Sequence, residues 1–563
     1  MKIFLAQQNY QIGNFESNTK KIIEAIETAK RQGGDLIVFS ELSVCGYAPR
    51  DFLEFDDFIK KCYVSIDEIK EHADTIGVLV GAPDINPVKK GKDLFNAAFL
   101  LYEKDVKGII HKTCLPNYDV FDEYRYFEPS YEWHTLLFKG KKLAVTICED
   151  IWNLGDNPLY RVCPMDMLME EGPDIMINLS ASPFDYKHDD DRKATIKANV
   201  MKYKLPLIYC NCVGSQTEVV FDGDSLVFDA RSNLCGRLPK FKESLQSFVV
   251  NNDGTIDSPI IEPADRVTDQ LLDPIQFDES LSIGQVYDAL VMGIRDYFFK
   301  MGFNKAILGS SGGIDSAVTL AIACEALGKE NVRAVLLPSG YSTSHSVGDA
   351  KQLSINIGNP YDIVPIEDVY QSFLKALAPT FKDLPFSIAE ENLQSRARGN
   401  LLMAIANKFG YILLNTSNKS ELATGYGTLY GDMAGGLAVL GDCYKMQVYA
   451  LARHINKMNG DHPLIQENII NKAPSAELRP GQKDSDSLPE YAVMDKILYQ
   501  YIERTQGPNE IKMMGFDPAL VDRILKMVNV NEYKRNQFCP IIRISPKAFG
   551  VGRRLPIVAK YLS

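Results

Sequence analysis

Three side chains with catalytic potential follow predicted strands in the first half of this 563-residue chain. Glu41 ends the segment "DLIVFSE", Lys112 ends "GIIHK" and Cys148 ends "KLAVTIC". Reacting groups gather at the ends of strands in layered α/β sheets. A thiol needs a base to become a nucleophile, and the oxyanion that then forms needs a cation or an N–H donor. The three residue types therefore predict nucleophilic attack by Cys148, with Glu41 as the base and Lys112 beside the oxyanion.

Each of these residues also has an ordinary explanation when it is taken alone. Cys148 could be a core residue, Lys112 a surface lysine and Glu41 a helix cap. Together, in "SELSVCGY", "HKTCLPNYDVFDEYRYF" and "ICEDIW", they resemble the Glu-Lys-Cys triad of the nitrilase and amidase superfamily. That resemblance implies a second, assisting glutamate at Glu123.

The same resemblance implies a glutamine-binding site. Tyr118 and Ser182 match positions that hold glutamine in the family. His188 stands six residues beyond Ser182, where the family often has a basic residue, and Lys187 precedes it. How the α-carboxylate of glutamine is held stays open at this point.

A second motif, "ILGSSGGIDSAV" at residues 307–318, predicts a strand, a phosphate-binding loop and a helix. Its glycines let consecutive N–H groups converge on an anion, and the helix adds its positive N-terminus. Asp315 would repel phosphate unless a magnesium ion lay between them. The Lys-Ser/Thr of a Walker loop is missing, so the loop suits departing pyrophosphate better than a transferring γ-phosphate. A plain glycine-rich turn is the alternative.

The hexapeptide "SGGIDS" resembles the loop of the PP-loop ATP pyrophosphatases, which form adenylates and release pyrophosphate. The resemblance implies that ATP is a co-substrate and that Mg²⁺ accompanies it. The implied ATP-binding residues of the loop are Gly309, Ser310, Ser311, Gly312, Gly313, Ile314, Asp315 and Ser316.

An amidase-type half before an adenylate-forming half resembles the glutamine-dependent NAD synthetases over nearly the whole chain. In that family the first half frees ammonia from L-glutamine, the second activates deamido-NAD with ATP, and ammonia moves through an internal passage. The segments "ENLQSRARGN", "NTSNKSELATGYGTLYGDMAGGLAVLGDCYK" and "NEYKRNQFCPIIRISPKAFGVGRRLPI" carry the likeness, and residues 472–491 resemble a mobile substrate loop. It implies Thr416 for ATP, Asp315 and Glu421 for magnesium, and Asn392, Glu421, Asp432, Lys445 and Lys534 for deamido-NAD.

The elements that must position these residues alternate between strands and helices. Helices are predicted near residues 18–31, 189–203 and 283–300, with short apolar strands between them. Strand-helix alternation after residue 300 predicts a parallel sheet. We therefore expect an α/β protein with an N-terminal nitrilase-like α-β-β-α sandwich and a C-terminal doubly wound PP-loop domain of the adenine nucleotide α-hydrolase-like kind. The expected boundaries are 1–250, a polar linker at 251–280, and 281–563.

The amino-acid composition excludes some classes of binding partner. The chain is 45% hydrophobic and 24% charged, with a net charge of -12, and it has no long basic block, so nucleic acid is not expected as a partner. No segment has the roughly 20 apolar residues that span a bilayer. Eleven scattered cysteines without C-x-x-C suit a cytoplasmic protein. Small molecules are the expected partners, and the resemblance adds a homo-oligomer, at least a dimer and up to an octamer.

Two other functions are compatible with these motifs. Another PP-loop amidotransferase or ligase could act on a different carboxylate or base, for example in making GMP, asparagine or a modified tRNA base. Alternatively, the amidase half could be a non-catalytic scaffold. The presence of all three triad residues weighs against the scaffold, and the acidic charge weighs against tRNA.

Overall fold

The computed structural model describes residues 1–88, 90–154, 158–257 and 282–562, apart from the side chains of His188 and Asp189. The chain divides into two compact units, Met1–Val267 and Thr268–Ser563. Of the segment predicted as a linker, residues 258–280 lie outside the described residues, whereas Ile256 and Asp257 form a strand of the first unit. Among the described residues, no helix is both long and apolar enough to cross a membrane.

The first unit consists of two sheets with helices outside them. Its strands are β1 (Lys2–Gln7), β2 (Leu36–Val38), β3 (Gly77–Ile85), β4 (Leu94–Tyr102), β5 (Asp105–His111), β6 (Leu136–Phe138), β7 (Lys141–Ile147), β8 (Ile175–Ser180), β9 (Leu207–Asn211), β10 (Val213–Gln216), β11 (Val219–Asp222), β12 (Leu226–Phe228), β13 (Leu234–Arg237), β14 (Ser244–Val250) and β15 (Ile256–Asp257). Its helices are α1 (Phe15–Arg31), α2 (Asp56–His72), α3 (Pro164–Leu168) and α4 (His188–Tyr203).

Two mixed sheets form the centre of this unit. One has the order β15-β14-β1-β2-β3-β4-β5 and the other β13-β12-β9-β8-β7-β6. Strands β1, β2 and β3 are parallel to one another, as are β7, β8 and β9. Parallel strands end at the same edge of a sheet, so the residues after β2 and after β7 and β8 lie at sheet edges suited to a site.

The alternation of side chains along β1 explains the four layers. Ile3 and Leu5 pack in the core between the sheets, together with Leu143 and Val145 of β7. Phe4 points to the other face and packs with α1 and α2. Successive strand residues face opposite sides, so strands that are apolar throughout must be covered on both faces. A third core lies between the second sheet and α3 and α4. The predicted α-β-β-α sandwich is confirmed.

The second unit alternates strands and helices. Its elements are α5 (Ile283–Met301), β16 (Ala306–Gly309), α6 (Ile314–Leu327), β17 (Val332–Leu336), α7 (Ser344–Ile357), β18 (Tyr361–Ile363), α8 (Glu367–Phe381), α9 (Ile388–Phe409), β19 (Ile412–Asn415), α10 (Lys419–Thr424), β20 (Leu437–Ala438), α11 (Lys445–Met458), α12 (Glu467–Asn471), α13 (Tyr491–Ile502), α14 (Pro508–Met513), α15 (Pro518–Val530) and α16 (Glu532–Arg535).

Its sheet has the order β18-β17-β16-β19-β20, and every neighbouring pair is parallel. Helix α9 covers one face through Ala397 and Leu402, which pack on Ile307 and Leu413. Helix α6 also packs on β16 and β17 and lies against α5 and α11. The strand order reverses between β16 and β19, and ligands of doubly wound folds bind beyond the carboxyl ends of the strands at such a reversal. The predicted doubly wound fold is confirmed, and its expected binding crevice follows β16.

Candidate active sites

Two members of the predicted triad of the first unit, Lys112 and Glu41, form a buried ion pair. Lys112 follows β5, and its Nζ donates to Glu41 Oε1 at 2.7 Å and to Glu123 Oε1 and Oε2 at 2.8 and 2.9 Å. The side chains of Lys112 and Glu41 are 0% exposed, which excludes the surface-lysine alternative. Burial opposes the charge of Lys112, but Glu123 and Glu41 outweigh it and raise its pKa well above the ordinary value. Lys112 therefore remains a cation.

Two further side chains fix the carboxylates. Asn96 Nδ2 donates to Glu41 Oε1 at 2.7 Å and to Glu123 Oε2 at 3.2 Å, and the hydroxyl of Tyr47 donates to Glu123 Oε1 at 2.7 Å. The backbone N–H of Ala181, which follows β8, donates to Glu41 Oε2 at 3.0 Å. Both glutamates are thus oriented before any substrate enters.

Cys148 sits at a strained turn directly after β7. Its φ is 45°, in the left-handed region that residues with a Cβ rarely occupy, and a short 3₁₀ turn begins there. Residues held in such conformations cluster at functional sites, where the turn presents a nucleophile. Burial raises the pKa of the Cys148 thiol well above its ordinary value, the charge of Glu41 adds to the rise, and Lys112 opposes it. The resting thiol is therefore protonated and needs a base during attack.

The predicted glutamine-binding residues lie in different settings. The hydroxyl of half-exposed Tyr118 donates to Glu149 Oε1 at 2.9 Å, and burial raises the pKa of Glu149. Ser182 is buried, and its backbone N–H donates to Asn211 Oδ1 at 2.8 Å. His188 begins α4, but its side chain lies outside the described residues. Glu149 was not predicted, although it adjoins Cys148 and contacts Tyr118.

In the second unit, the glycine loop leaves β16 and enters α6. Gly312 has a φ of 78°, and a Cβ built there would lie 2.2 Å from the carbonyl oxygen of Ser346. Only glycine fits this position, because both the conformation and the space exclude a side chain. The hydroxyl of Ser310 is buried without a hydrogen-bond partner among the described residues, so it is available to bind a ligand. Ser316 and Ser311 contact each other at 3.2 Å across the loop.

Carboxylates and a lysine meet at the first turn of α6. Lys445 Nζ donates to Asp315 Oδ2 at 2.5 Å and lies 3.8 Å from Glu421 Oε1, while Asn418 Nδ2 donates to Asp315 Oδ1 at 2.8 Å. Burial and the charge of Asp315 raise the pKa of Glu421 to about 8. Two carboxyl groups thus lie beside one ammonium group, so the site would attract a bound cation.

A cavity of about 290 Å³ joins these residues beyond the carboxyl ends of β16 and β19. Residues of the predicted loop at 472–491 line it as well, and Glu477 accepts from Ser346 Oγ at 2.6 Å and from Lys472 Nζ at 2.9 Å. The predicted residues that line the cavity are Gly309, Ser310, Ser311, Gly313, Ile314, Asp315, Ser316, Thr416, Glu421, Asp432 and Lys445.

Three of the site residues predicted for the second unit do not line this cavity. Gly312 packs behind the loop. Asn392 Oδ1 accepts from the hydroxyl of Thr428 at 2.7 Å, and the backbone N–H of Thr428 donates to Asp432 Oδ1 at 2.6 Å. Lys534 Nζ donates to the carbonyl oxygens of Gly425 and Gly427 at 2.7 and 2.8 Å, just beyond the end of α10. Lys534 therefore holds the turn that follows α10 in this structure.

Asp495 of α13, which sequence reasoning missed, ties together the helices that carry Glu421 and Lys445. It accepts from Ser420 Oγ at 2.6 Å and from the backbone N–H of Met446 at 2.9 Å. Burial raises the pKa of Asp495 to about 7.

Comparisons with known proteins identify the family of each half of the chain. Residues 2–254 match the carbon-nitrogen hydrolase family and residues 286–538 match the NAD synthase family. A glutamine-dependent NAD(+) synthetase of Synechocystis sp. is 42% identical over 99% of this chain and 99% of its own, and one of Thermotoga maritima is 40% identical over 100% and 99%. The structure of the Acinetobacter baumannii glutamine-dependent NAD+ synthetase in complex with adenosine diphosphate has 38% identity and a TM-score of 0.76, covering 99% of this chain and 98% of that one. The resemblance predicted from the motifs is confirmed, and the chain belongs to the family of glutamine-dependent NAD(+) synthetases.

Proposed function

We propose that this protein converts deamido-NAD, ATP, L-glutamine and water to NAD, AMP, pyrophosphate and L-glutamate. One observation carries the proposal: a single chain holds a buried Glu-Lys-Glu cluster beside a strained cysteine and, in its other unit, a glycine loop opening on a cavity. The first arrangement suits amide hydrolysis, and the second suits the release of pyrophosphate. We assign the amidase to residues 1–250 and the synthetase to residues 281–563.

The amidase reaction begins with proton transfer from Cys148 to Glu41, as the sulfur attacks the side-chain amide carbon of glutamine. The ammonium group of Lys112 is assigned to stabilise the oxyanion of the tetrahedral intermediate. Glu41 returns the proton to the leaving nitrogen, so that ammonia departs and a thioester remains. Glu41 then takes a proton from water, which attacks the thioester; the sulfur of Cys148 leaves and regains that proton from Glu41, and glutamate is released.

Glutamine binding follows from the same surroundings. Glu149 is buried next to Cys148 and already accepts from Tyr118, so its carboxylate suits the α-ammonium group of glutamine. Ser182 and His188 are assigned to the remainder of the substrate, from the resemblance alone. Glu123 holds Lys112 in place through two hydrogen bonds.

The carboxylates of the second unit fit a magnesium ion. Among the described residues, no three His, Cys, Asp or Glu side chains are arranged to hold a metal. Asp315 and Glu421 supply two hard oxygen ligands, and magnesium characteristically combines one or two carboxylates with phosphate oxygens of its nucleotide. Burial and the charge of Asp315 raise the pKa of Glu421 to about 8, and a cation bound beside the pair would favour its charged form. When bound, the ion would neutralise the charge of the phosphates.

The synthetase reaction takes place at the mouth of the glycine loop. The hydroxyls of Ser310 and Ser316 and the N-terminus of α6 hold the β- and γ-phosphates, and Thr416 contacts the nucleotide. The nicotinate carboxylate of deamido-NAD attacks the α-phosphorus, and pyrophosphate leaves. Ammonia then attacks the carbonyl carbon of the adenylate, AMP departs, and the carboxamide of NAD remains. Asn392, Asp432, Lys445 and Lys534 are assigned to deamido-NAD.

The cellular compartment and the oligomeric state of the protein are proposed separately. All eleven cysteines are free, which suits a reducing compartment such as the cytoplasm. From the family resemblance we also assign a homo-oligomer, at least a dimer and up to an octamer. Light scattering at several concentrations measures the oligomer size, and a monomer would contradict this assignment.

The division of labour is tested by Cys148→Ala. NAD formation from deamido-NAD and ATP should be lost with glutamine as the nitrogen source and retained with ammonium chloride. Cys210→Ala, which removes another buried thiol of the same unit, is the matched control and should keep both activities. Equal loss of both activities in Cys148→Ala would contradict the division, and no turnover of deamido-NAD by the unaltered protein would reject the substrate.

A further inference from the structure

A buried carboxylate outside the reacting set links the segments that carry Lys112 and Cys148. Asp150 Oδ1 accepts from the backbone N–H groups of Thr113 and Cys114 at 3.0 and 2.8 Å. Its Oδ2 accepts from the backbone N–H of Ile147 at 3.0 Å. Thr113 directly follows Lys112, and Ile147 directly precedes Cys148, so one carboxylate is hydrogen-bonded next to both reacting residues.

This link matters because the two reacting residues belong to different sheets. Lys112 follows β5 of the seven-stranded sheet, and Cys148 follows β7 of the six-stranded sheet. The sheets pack through an apolar core, which includes Leu100, Val145 and Ile147, and the hydrogen bond from Ala181 to Glu41 joins the ends of two other strands. Apolar attraction is not directional, so it does not by itself set the position of one strand end against another. The three hydrogen bonds to Asp150 are directional, and they join those ends.

Burial makes this carboxylate costly, which argues for a specific use. Asp150 is 2% exposed, and burial raises its pKa to about 6. The hydrogen bonds that the structure describes for it come from three backbone N–H groups and from no charged side chain. Burying a charged group costs free energy, and the charge of Lys112 and the three hydrogen bonds only partly offset the effect of burial on this carboxylate.

We propose that Asp150 is a positioning residue of the amidase site, which fixes the ammonium group of Lys112 relative to the sulfur of Cys148 by joining the two sheets. The inference rests on the proposed glutamine hydrolysis. It adds a residue whose own atoms take no part in the reaction.

Asp150→Asn keeps the shape but replaces one acceptor oxygen with an NH₂ group, so at least one of the three backbone N–H groups loses its partner. Asp229→Asn is the matched control: Asp229 is buried in the same unit and also accepts from two backbone N–H groups, those of Arg231 and Asn233. Asp150→Glu keeps the charge and moves the carboxylate by one methylene. Tryptophan fluorescence verifies that each variant is folded.

The measurements are kcat and KM for glutamine hydrolysis, ammonia-driven NAD formation, and the rate at which iodoacetamide alkylates Cys148, followed by peptide mass mapping. Misplacement of reacting groups by about 1 Å costs about 100-fold. Asp150→Asn and Asp150→Glu should therefore lower kcat about 10- to 100-fold, leave the KM for glutamine close to the wild-type value, slow the alkylation, and spare ammonia-driven synthesis. Asp229→Asn should change none of these.

Two results would overturn the inference. One is an unchanged kcat and alkylation rate in Asp150→Asn. The other is an equal loss in Asp229→Asn, which would show that general destabilisation is the cause. If the wild-type protein hydrolysed no glutamine, the proposed function would fail, and the alkylation rates would still decide whether Asp150 positions Cys148.

Discussion

Replacing Lys112 by methionine removes the cation that lies between Glu41 and Glu123. All three side chains are 5% exposed or less, so the two carboxylates would be left without compensation in the core. Breaking a buried ion pair by removal of one partner costs about 3–5 kcal/mol. We expect a loss of this size in the free energy of unfolding of the first unit at about pH 8.

The loss should depend on pH. Burial already raises the pKa of Glu123, although Lys112 opposes the rise. Without Lys112 the pKa of Glu123 rises further. A carboxyl group whose pKa is raised by folding contributes stability below its unfolded pKa and loses that contribution as the pH rises through the folded value. The cost of Lys112→Met should therefore be smallest near pH 5 and grow towards pH 8.

Urea unfolding followed by tryptophan fluorescence measures this loss, because both tryptophans of the chain, Trp133 and Trp152, lie in the first unit. The double variant Glu41→Gln/Lys112→Met removes one of the two uncompensated charges and should recover at least about 1 kcal/mol. A loss below about 1 kcal/mol at pH 8, or a loss that does not vary with pH, would refute the buried ion cluster.

Three further predictions concern the second unit. Asp495→Asn should weaken the protection of α10 and α11 against hydrogen exchange. Because folding raises the pKa of Asp495 to about 7, the free energy of unfolding of the wild-type protein should fall by up to about 1.4 kcal/mol per pH unit as the pH rises towards 7. The variant should lack this slope. Gly312→Ala should abolish ATP-dependent AMP formation and spare glutamine hydrolysis, since its Cβ would collide with Ser346; normal synthesis would contradict the role of the loop. Glu477→Gln should speed proteolysis within residues 472–491 in the absence of ATP, and an unchanged rate would show that Glu477 does not hold this segment.

The sequence predicted the parts of the sites that depend on local order along the chain. Glu41, Lys112 and Cys148 could be placed because each follows a short apolar strand, and a strand delivers the next residue to the edge of its sheet. The glycine loop could be recognised because its backbone requirements are local. The fold class followed from strand-helix alternation.

The sequence could not predict contacts that only the packing of the sheets creates. Asn96 lies inside β4, where nothing in its spacing distinguishes it from other strand residues, yet it contacts both glutamates. Glu149 and Asp150 are the two residues that follow Cys148, and this closeness along the chain is the one signal that could have identified them. The hydrogen bonds from Lys534 to the turn that follows α10 likewise depend on tertiary structure.

The central claim is that the loop at residues 309–316 releases pyrophosphate from ATP and leaves an adenylate on the nicotinate carboxylate. Deamido-NAD labelled with ¹⁸O in that carboxylate tests it directly. One labelled oxygen should appear in AMP in each turnover, whether ammonia or glutamine supplies the nitrogen. Label in orthophosphate, together with ADP as the nucleotide product, would contradict the account.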